Sequence, residues 1–400
     1  MARKRGGARA PLFCPGAFAL AVVLLMPRLQ LDGEIPQRPS DRGAAWLSVA
    51  ELHARETQRR CGIRGHRSRR PGCDPGRVPR RATAEDGVEG GVFGALDGLY
   101  VEPVFRPPAE AGSLILQVTN GCSWNRCSFC EMYTAPQKAF RAKPLDEVTA
   151  DLRLLGAVSR METSSGAPPP RIFLADGDAM SLPASRLREV LEAAQVEMPD
   201  LARVSSYCLP RNLRTKSVDD LRVLRALGLR TLYVGCESGD DEVLRRVGKG
   251  ETRASSLEAL QKLRAAGLKS SVMILHGLGG RQLSRQHAES SAALMSEAQP
   301  DLLSTLVVSF PLGMERHAEG FADLPGDGFQ QLEPLQILDE MTHFIERLDL
   351  RKTIFRSDHA SNYLSLKGVL GRDRPRLLAE LAAARRAGPA ALTPEWARGL

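Results

Sequence analysis

The stretch TNGCSWNRCSFCEMY, Thr119–Tyr133, places Cys122, Cys127 and Cys130 within nine residues, in the spacing C-x4-C-x2-C. Such a cluster is a set of disulfide partners, a closed metal site, or a metal site with a position left open. Disulfide frameworks belong to short, cysteine-dense secreted chains. This chain has 400 residues and eight cysteines, and the other five, Cys14, Cys61, Cys73, Cys208 and Cys236, are scattered. The cluster therefore points to metal in a reducing compartment.

Outward from the cysteines the chain repeats one pattern. SLILQVTNG (Ser113–Gly121) is a β-rich run that leads straight into them, and a helical stretch follows from Pro144. Further strand-like runs are RIFLADGD (Arg171–Asp178), LARVSSYCLP (Leu201–Pro210), RTLYVGCESGDDEVL (Arg230–Leu244), KSSVMILHGLGG (Lys269–Gly280) and DLLSTLVVSFPLG (Asp301–Gly313), with amphipathic segments between them. Pro144 and Pro183 suit the first turn of a helix and Ser217 suits a cap, while Gly228 and Gly267 stand where helices stop. Six β/α alternations imply a parallel sheet with right-handed crossovers. The strand ends carry the cysteines, Asp176-Gly177-Asp178, Cys208, Glu237-Ser238-Gly239, His276 with a glycine run, and Pro311-Leu312-Gly313. A β/α barrel builds its site from the C-terminal ends of its strands. The expectation is an α/β fold, a partial (β/α)6 TIM-type barrel over 95–315, with a helical and loop extension over 316–400 that closes it.

Residues 1–94 read differently, as a basic extension of low order. MARKRGGAR followed by the apolar run Pro11–Met26 resembles the first two regions of a signal peptide, but Pro15 and Gly16 break a run already too short for a stable membrane span. Arg59–Ala82 is rich in Arg, Gly and Pro, and its Cys61, His66 and Cys73 match no zinc-finger spacing. An export signal, another targeting segment and an upstream stretch read through a misplaced start all remain open. The last is favoured, because a metal-binding cluster of reduced thiols would be unusual in an exported protein, and the expected location is the cytoplasm. The net charge of +8 belongs to this end: residues 1–90 hold 17 of the 55 Lys and Arg and 9 of the 47 Asp and Glu, leaving 38 of each. A nucleic-acid footprint on the main domain is not supported.

One strand-to-helix loop is able to wrap three thiolates around a single cluster. Plant-type ferredoxins use C-x4-C-x2-C with a fourth, separate cysteine, and here the next one, Cys208, lies 78 residues further on. The spacing favours a [4Fe–4S] cluster with three protein ligands. A cluster closed by Cys208, a zinc site and inert thiols are the alternatives, and Cys208 and Cys236 are otherwise read as small buried residues.

The cysteine loop after the first strand of a partial barrel resembles the radical S-adenosylmethionine superfamily, including its elongator, methylthiotransferase and coproporphyrinogen-oxidase branches. The commonest spacing there is C-x3-C-x2-C, so this chain carries one extra residue among Ser123-Trp124-Asn125-Arg126. The resemblance covers roughly Leu99 to Asn362. It implies cluster ligation by Cys122, Cys127 and Cys130, and cofactor contacts from Phe129 near adenine. It also implies contacts from Asp176, Gly177 and Asp178 at the methionine ammonium, from Glu237 and Ser238, and from Ile274 and Gly277 on the glycine-containing adenine strand. Each motif has a plainer reading: DGD as a turn, Glu237 as a helix-cap acid, GLGG as weak evidence for a nucleotide. Their order, one per strand end after a cysteine triplet, is what unites them.

The resemblance further implies reductive cleavage of S-adenosylmethionine to a 5′-deoxyadenosyl radical that abstracts hydrogen from a substrate the sequence does not name. An external low-potential donor of flavodoxin or ferredoxin type would supply the electron. His276, His359 and Tyr363 are the candidate catalytic residues, the latter two in the polar segment TIFRSDHASNYLSLKG, Thr353–Gly368. The competing functions are an electron-transfer protein with a closed cluster and a tRNA-modifying member of the same superfamily; the neutral main domain argues against the second. The position two residues after the triplet, a further cysteine in oxygen-independent coproporphyrinogen oxidases, is Met132.

Overall fold

The computed structural model describes residues 98–326 and 328–398, so the signal-like stretch and the low-order extension lie outside the described residues. β1 (Leu114–Gln117) precedes a small ribbon of β2 (Thr119–Asn120) and β3 (Arg141–Ala142) that flanks the cysteine loop. The repeating units follow: α1 (Leu145–Ser164), β4 (Arg171–Ala175), α2 (Ala184–Glu197), β5 (Arg203–Cys208), α3 (Val218–Ala226) and β6 (Leu229–Glu237). Two helices, α4 (Asp241–Arg246) and α5 (Arg253–Ala266), lead to β7 (Lys269–His276), then α6 (Gly280–Ala298) and β8 (Leu302–Val307).

The six expected strands lie side by side and parallel, β1-β4-β5-β6-β7-β8. The C-terminal part was expected as helices and loop, and here the structure differs. After α7 (Glu315–Ala318) and α8 (Pro334–Arg347), β9 (Ile354–Ser357) joins β8 in parallel and β10 (Leu366–Val369) pairs antiparallel with β9. The polar segment thus holds two short strands joined by a loop over 358–365, and α9 (Arg374–Ala387) follows. The helix signals act as read: Ser217 accepts from Asp220 N–H at the start of α3, and Gly267 ends α5 in a left-handed conformation with φ 73°. No helix among the described residues is long and apolar enough to cross a membrane.

Strand residues alternate between two faces. Leu116, Ile172, Leu174, Val204, Leu232, Val234, Val272, Ile274 and Leu303 point to the helices and form the main core. The opposite, inner face holds Ile115, Phe173, Ala175 and Tyr233, against which Tyr100, Val104, Tyr207 and Met273 pack. The incoming segment fills this face under the first strands. There the buried Glu110 accepts from Tyr233 Oη at 2.8 Å, Ser113 Oγ at 2.5 Å and Arg203 at 3.0 Å. Further round, the inner face opens: Met273, Ser304 and Leu306 are half-buried, and Arg356 is exposed.

Candidate active site

β1 delivers the chain into the cysteine loop through Gly121, whose φ is 69° and where an added Cβ would lie 1.9 Å from Lys138 O, so only glycine fits. Cys122, Cys127 and Cys130 are free, half-buried thiols. Burial pushes each of them up, Cys127 to about 11. Binding a metal as thiolates therefore requires proton release and a compensating positive charge nearby.

The extra residue of the C-x4-C spacing has a structural reason. Trp124 leaves the loop and docks on the turn between α4 and α5: its indole N–H donates to Gly248 O at 2.8 Å, and the Arg211 guanidinium lies 3.6 Å above the ring. Gly250 makes room, since a Cβ there would stand 2.3 Å from the indole. Asn125 then turns the chain back with φ 41° and ties its amide to Tyr133 O at 2.9 Å.

Two aspartates follow β4. Asp176 is fully buried; its Oδ2 accepts from Lys138 Nζ at 2.5 Å, Gly121 N at 3.1 Å and Gln117 at 3.4 Å, which makes it the anchor of the cysteine loop. Asp178 Oδ2 accepts from Ser123 N at 3.2 Å and from Ser123 Oγ, so this carboxyl faces the same loop. Burial pushes the Asp178 carboxyl up against the opposing pull of Ser123 and the Asn212 amide, and its buried Oδ1 makes no close hydrogen bond. Gly177 between them admits the Tyr133 ring, which lies 2.4 Å from where its Cβ would be. At the end of β6, Glu237 adopts φ 66°, a left-handed conformation that a glutamate rarely takes, and forms an ion pair with buried Lys249 at 3.0 Å. Phe129 packs with Leu278, Val308, Phe321 and Phe329 on the other side of the loop.

Other expected positions turn away. Ser238 Oγ is buried and bonds His287 Nδ1 at 2.8 Å. Ile274 belongs to the helix-facing core; on β7 the inner-face positions are Met273 and Leu275. His276 is fully buried against Glu340 at 3.0 Å, and Gly277 N–H donates to the same carboxylate at 2.8 Å. Tyr363 sits in the core with its hydroxyl on Glu395 at 3.1 Å and Arg398 stacked 4.0 Å away. The expectations for the side chains of Ser238, Ile274, His276 and Tyr363 are corrected accordingly: strand alternation and the C-terminal packing aim them at the helices. His359 is half-buried at the mouth end of β9 with Nδ1 2.9 Å from Ser361 Oγ. The donor atoms of His276, His287 and Glu340 lie within 4.8 Å of one another, yet Glu340 already accepts from His276, Gly277 N–H and Ser284 Oγ, so hydrogen bonding accounts for the group. Cys208 and Cys236 lie in the helix-facing core, on the other side of the sheet from the inner face, which removes Cys208 as a convenient fourth ligand.

Sequence reasoning passed over Lys249, Trp124, Arg316 and His317. Arg316 donates to the carbonyls of Cys127 at 3.0 Å, Cys130 at 2.5 Å and Ser128 at 3.2 Å. His317, pushed down to about 4 by burial, is neutral near pH 7, bridging Ser128 Oγ at 3.0 Å and Leu278 O at 3.1 Å. Since a carbonyl only accepts, Nε2 carries the proton and Nδ1 takes the serine hydroxyl. Neither residue sits in a motif, and only the fold brings them to the cysteines.

Residues 116–288 match the radical SAM superfamily. The chain carries a radical SAM domain. Members of this superfamily are enzymes that bind a [4Fe–4S] cluster and S-adenosylmethionine. The chain is 26% identical over 203 residues to a 4′-phospho-dehydrooxetanocin synthase of Priestia megaterium, covering 46% of this chain and 27% of that one. It is 21% identical over 187 residues to the heme chaperone HemW of Bacillus subtilis, covering 46% and 47%. It thus spans between about a quarter and a half of the length of these relatives. Among solved structures it is similar to the radical S-adenosylmethionine methyltransferase TsrM of Kitasatospora setae, with TM-score 0.43, 19% identity and coverage of 71% and 56%. It is likewise similar to coproporphyrinogen III oxidase (HemN) of Escherichia coli, with TM-score 0.43, 19% identity and coverage of 59% and 52%.

The radical SAM domain's donor set fits those cofactors. Three thiols on one loop suit iron, a buried carboxyl oxygen on Asp178 without a close hydrogen bond suits an ammonium, and a buried ammonium on Lys249 suits the charge of thiolates.

Proposed function

We propose that this protein is a radical SAM enzyme that holds a [4Fe–4S] cluster through Cys122, Cys127 and Cys130, with S-adenosylmethionine beside it. The observation that carries the reading is the meeting of three half-buried thiols with the buried Asp178 Oδ1, which makes no close hydrogen bond. When bound, the two cofactors supply reductive cleavage of the sulfonium bond to a 5′-deoxyadenosyl radical, which takes hydrogen from the substrate.

The protein's part is placement. Asp178 Oδ1 accepts from the methionine ammonium in a charge-assisted hydrogen bond. Phe129 borders the adenine, and Glu237 serves the ribose or the amino group. The Asp176–Lys138 pair holds the loop that carries Cys122, and Arg316 holds the backbone of Cys127 and Cys130. Substrate lies against the open inner face at Met273, Ser304, Leu306 and Arg356, with His359 at its rim. The electron comes from a separate low-potential donor of flavodoxin or ferredoxin type, and the enzyme works in the cytoplasm.

The test is anaerobic reconstitution with iron and sulfide, followed by electron paramagnetic resonance with and without S-adenosylmethionine. The expected result is a [4Fe–4S] signal altered by the cofactor, with 5′-deoxyadenosine formed under dithionite. A signal indifferent to the cofactor and no 5′-deoxyadenosine would overturn the proposal.

A further inference from the structure

Lys249 is buried, with 3% of its surface exposed, in the RRVGKG turn after α4. An ammonium has three N–H donors. One goes to Glu237 Oε1 at 3.0 Å, and no other hydrogen bond of this group is found among the described residues. Burial alone lowers an ammonium, and the ion pair with Glu237 opposes it and keeps Lys249 charged.

The turn that carries it is pinned on both sides. Trp124 holds Gly248 O at 2.8 Å, while Arg211 donates to Lys249 O at 3.1 Å and to Gly250 O at 2.7 Å. Ser128 N–H donates to Val247 O at 2.9 Å, which ties the same turn to the cysteine loop between Cys127 and Cys130. Four contacts thus fix the backbone under one side chain, and all come from residues that neither bind metal nor line the inner face. The Lys249 Nζ lies 5.9 Å from the Phe129 ring, next to Cys130 in the chain.

We propose that Lys249 is a positioning cation for the cysteine-held group, and that its charge and spare N–H donors ease one-electron reduction of that group. The inference rests on the cluster reading above. Reduction adds one negative charge, delivered by the external low-potential donor, inside a region of low dielectric. A fixed cation beside it stabilises the reduced state more than the oxidised one, and no proton need move. Net charge and hydrogen bonds to sulfur are among the levers that set the potential of such clusters.

The test is the midpoint potential of the reconstituted full-length protein, titrated without S-adenosylmethionine and followed by electron paramagnetic resonance. Lys249→Met is expected to lower the potential, and Lys249→Arg to keep it near wild type. The double variant Lys249→Met with Glu237→Gln is expected to stay below wild type, because it removes the one buried cation that the turn holds against the cysteine loop. Equal potentials in wild type and the double variant, both with full iron and sulfide, would overturn the proposal. So would a shift that appears only once S-adenosylmethionine is added, which would assign the free donors to the cofactor's carboxylate instead. If Lys249→Met alone fails to take up iron, the double variant, which leaves no lone buried carboxylate, and Lys249→Arg decide. A wild-type protein that takes up no cluster defeats the proposed function itself, whereas a loaded cluster with an unmoved potential defeats only the role of Lys249.

Discussion

The two halves of the inner face are built on different terms. Under β1, β4, β5 and β6 the buried charges are held in pairs, Asp176 to Lys138, Glu110 to Tyr233 and Arg203, and Glu237 to Lys249, with Asp178 Oδ1 left without a close hydrogen bond. Under β7, β8 and β9 the inner face carries half-buried Met273, Ser304 and Leu306 and an exposed Arg356, while the polar residues of those strand ends, such as His276, face the helices. The first half is a rigid seat for something charged, and the second is left for a partner of variable shape. Within one sheet, fixed chemistry and adjustable recognition are separated by strand position.

The contrast breaks most sharply at the cysteines. Cys127→Ala is expected to abolish loading, with iron and sulfide content falling to background, because no other thiol among the described residues faces the loop. Next in size is Lys138→Met, which leaves the Asp176 carboxylate buried and uncompensated; removing one partner of such a pair costs about 3–5 kcal/mol, read from chemical denaturation of the unloaded protein. His317 gives a pH signature of intermediate size. Its imidazole is neutral when folded down to about pH 4 but takes up a proton near 6.5 when unfolded. Its contribution to stability is therefore complete above pH 6.5 and is lost as pH falls toward 4. Relative to His317→Gln, wild type should lose on the order of 2–3 kcal/mol across that window. Smallest is Arg356→Ala in the open half, expected to change stability by less than about 0.5 kcal/mol. A loss comparable to that of Lys138→Met would show that the second half is as rigid as the first.

How legible the site was depends on distance along the chain. The six β/α units, the three cysteines, Asp178 and Glu237 lie in local patterns, and the structure places all of them at one end of the sheet. The apolar run Val272-Met273-Ile274-Leu275 signals a strand but not which residues face inward, because a one-residue shift reverses every side chain. Ile274 falls on that ambiguity: it faces the helices, while Met273 and Leu275 face inward. β9 and β10 were hidden because only four residues of each are in register and Arg356 and Lys367 interrupt the apolar pattern of one face. Lys249, Trp124 and Arg211 act through contacts between loops, and no spacing rule announces them.

The hold of Arg316 and His317 on the cysteine loop also sets an order of events. Ser128 meets His317, and Cys127 O meets Arg316, across 189 residues of chain. The loop reaches its final backbone shape only after the ribosome has passed residue 317 and β8 has joined the sheet. A chain ending before Gly313 would keep all three cysteines and five of the strand ends yet hold iron poorly. The contacts that hold the cysteine loop are thereby complete only on a nearly finished barrel.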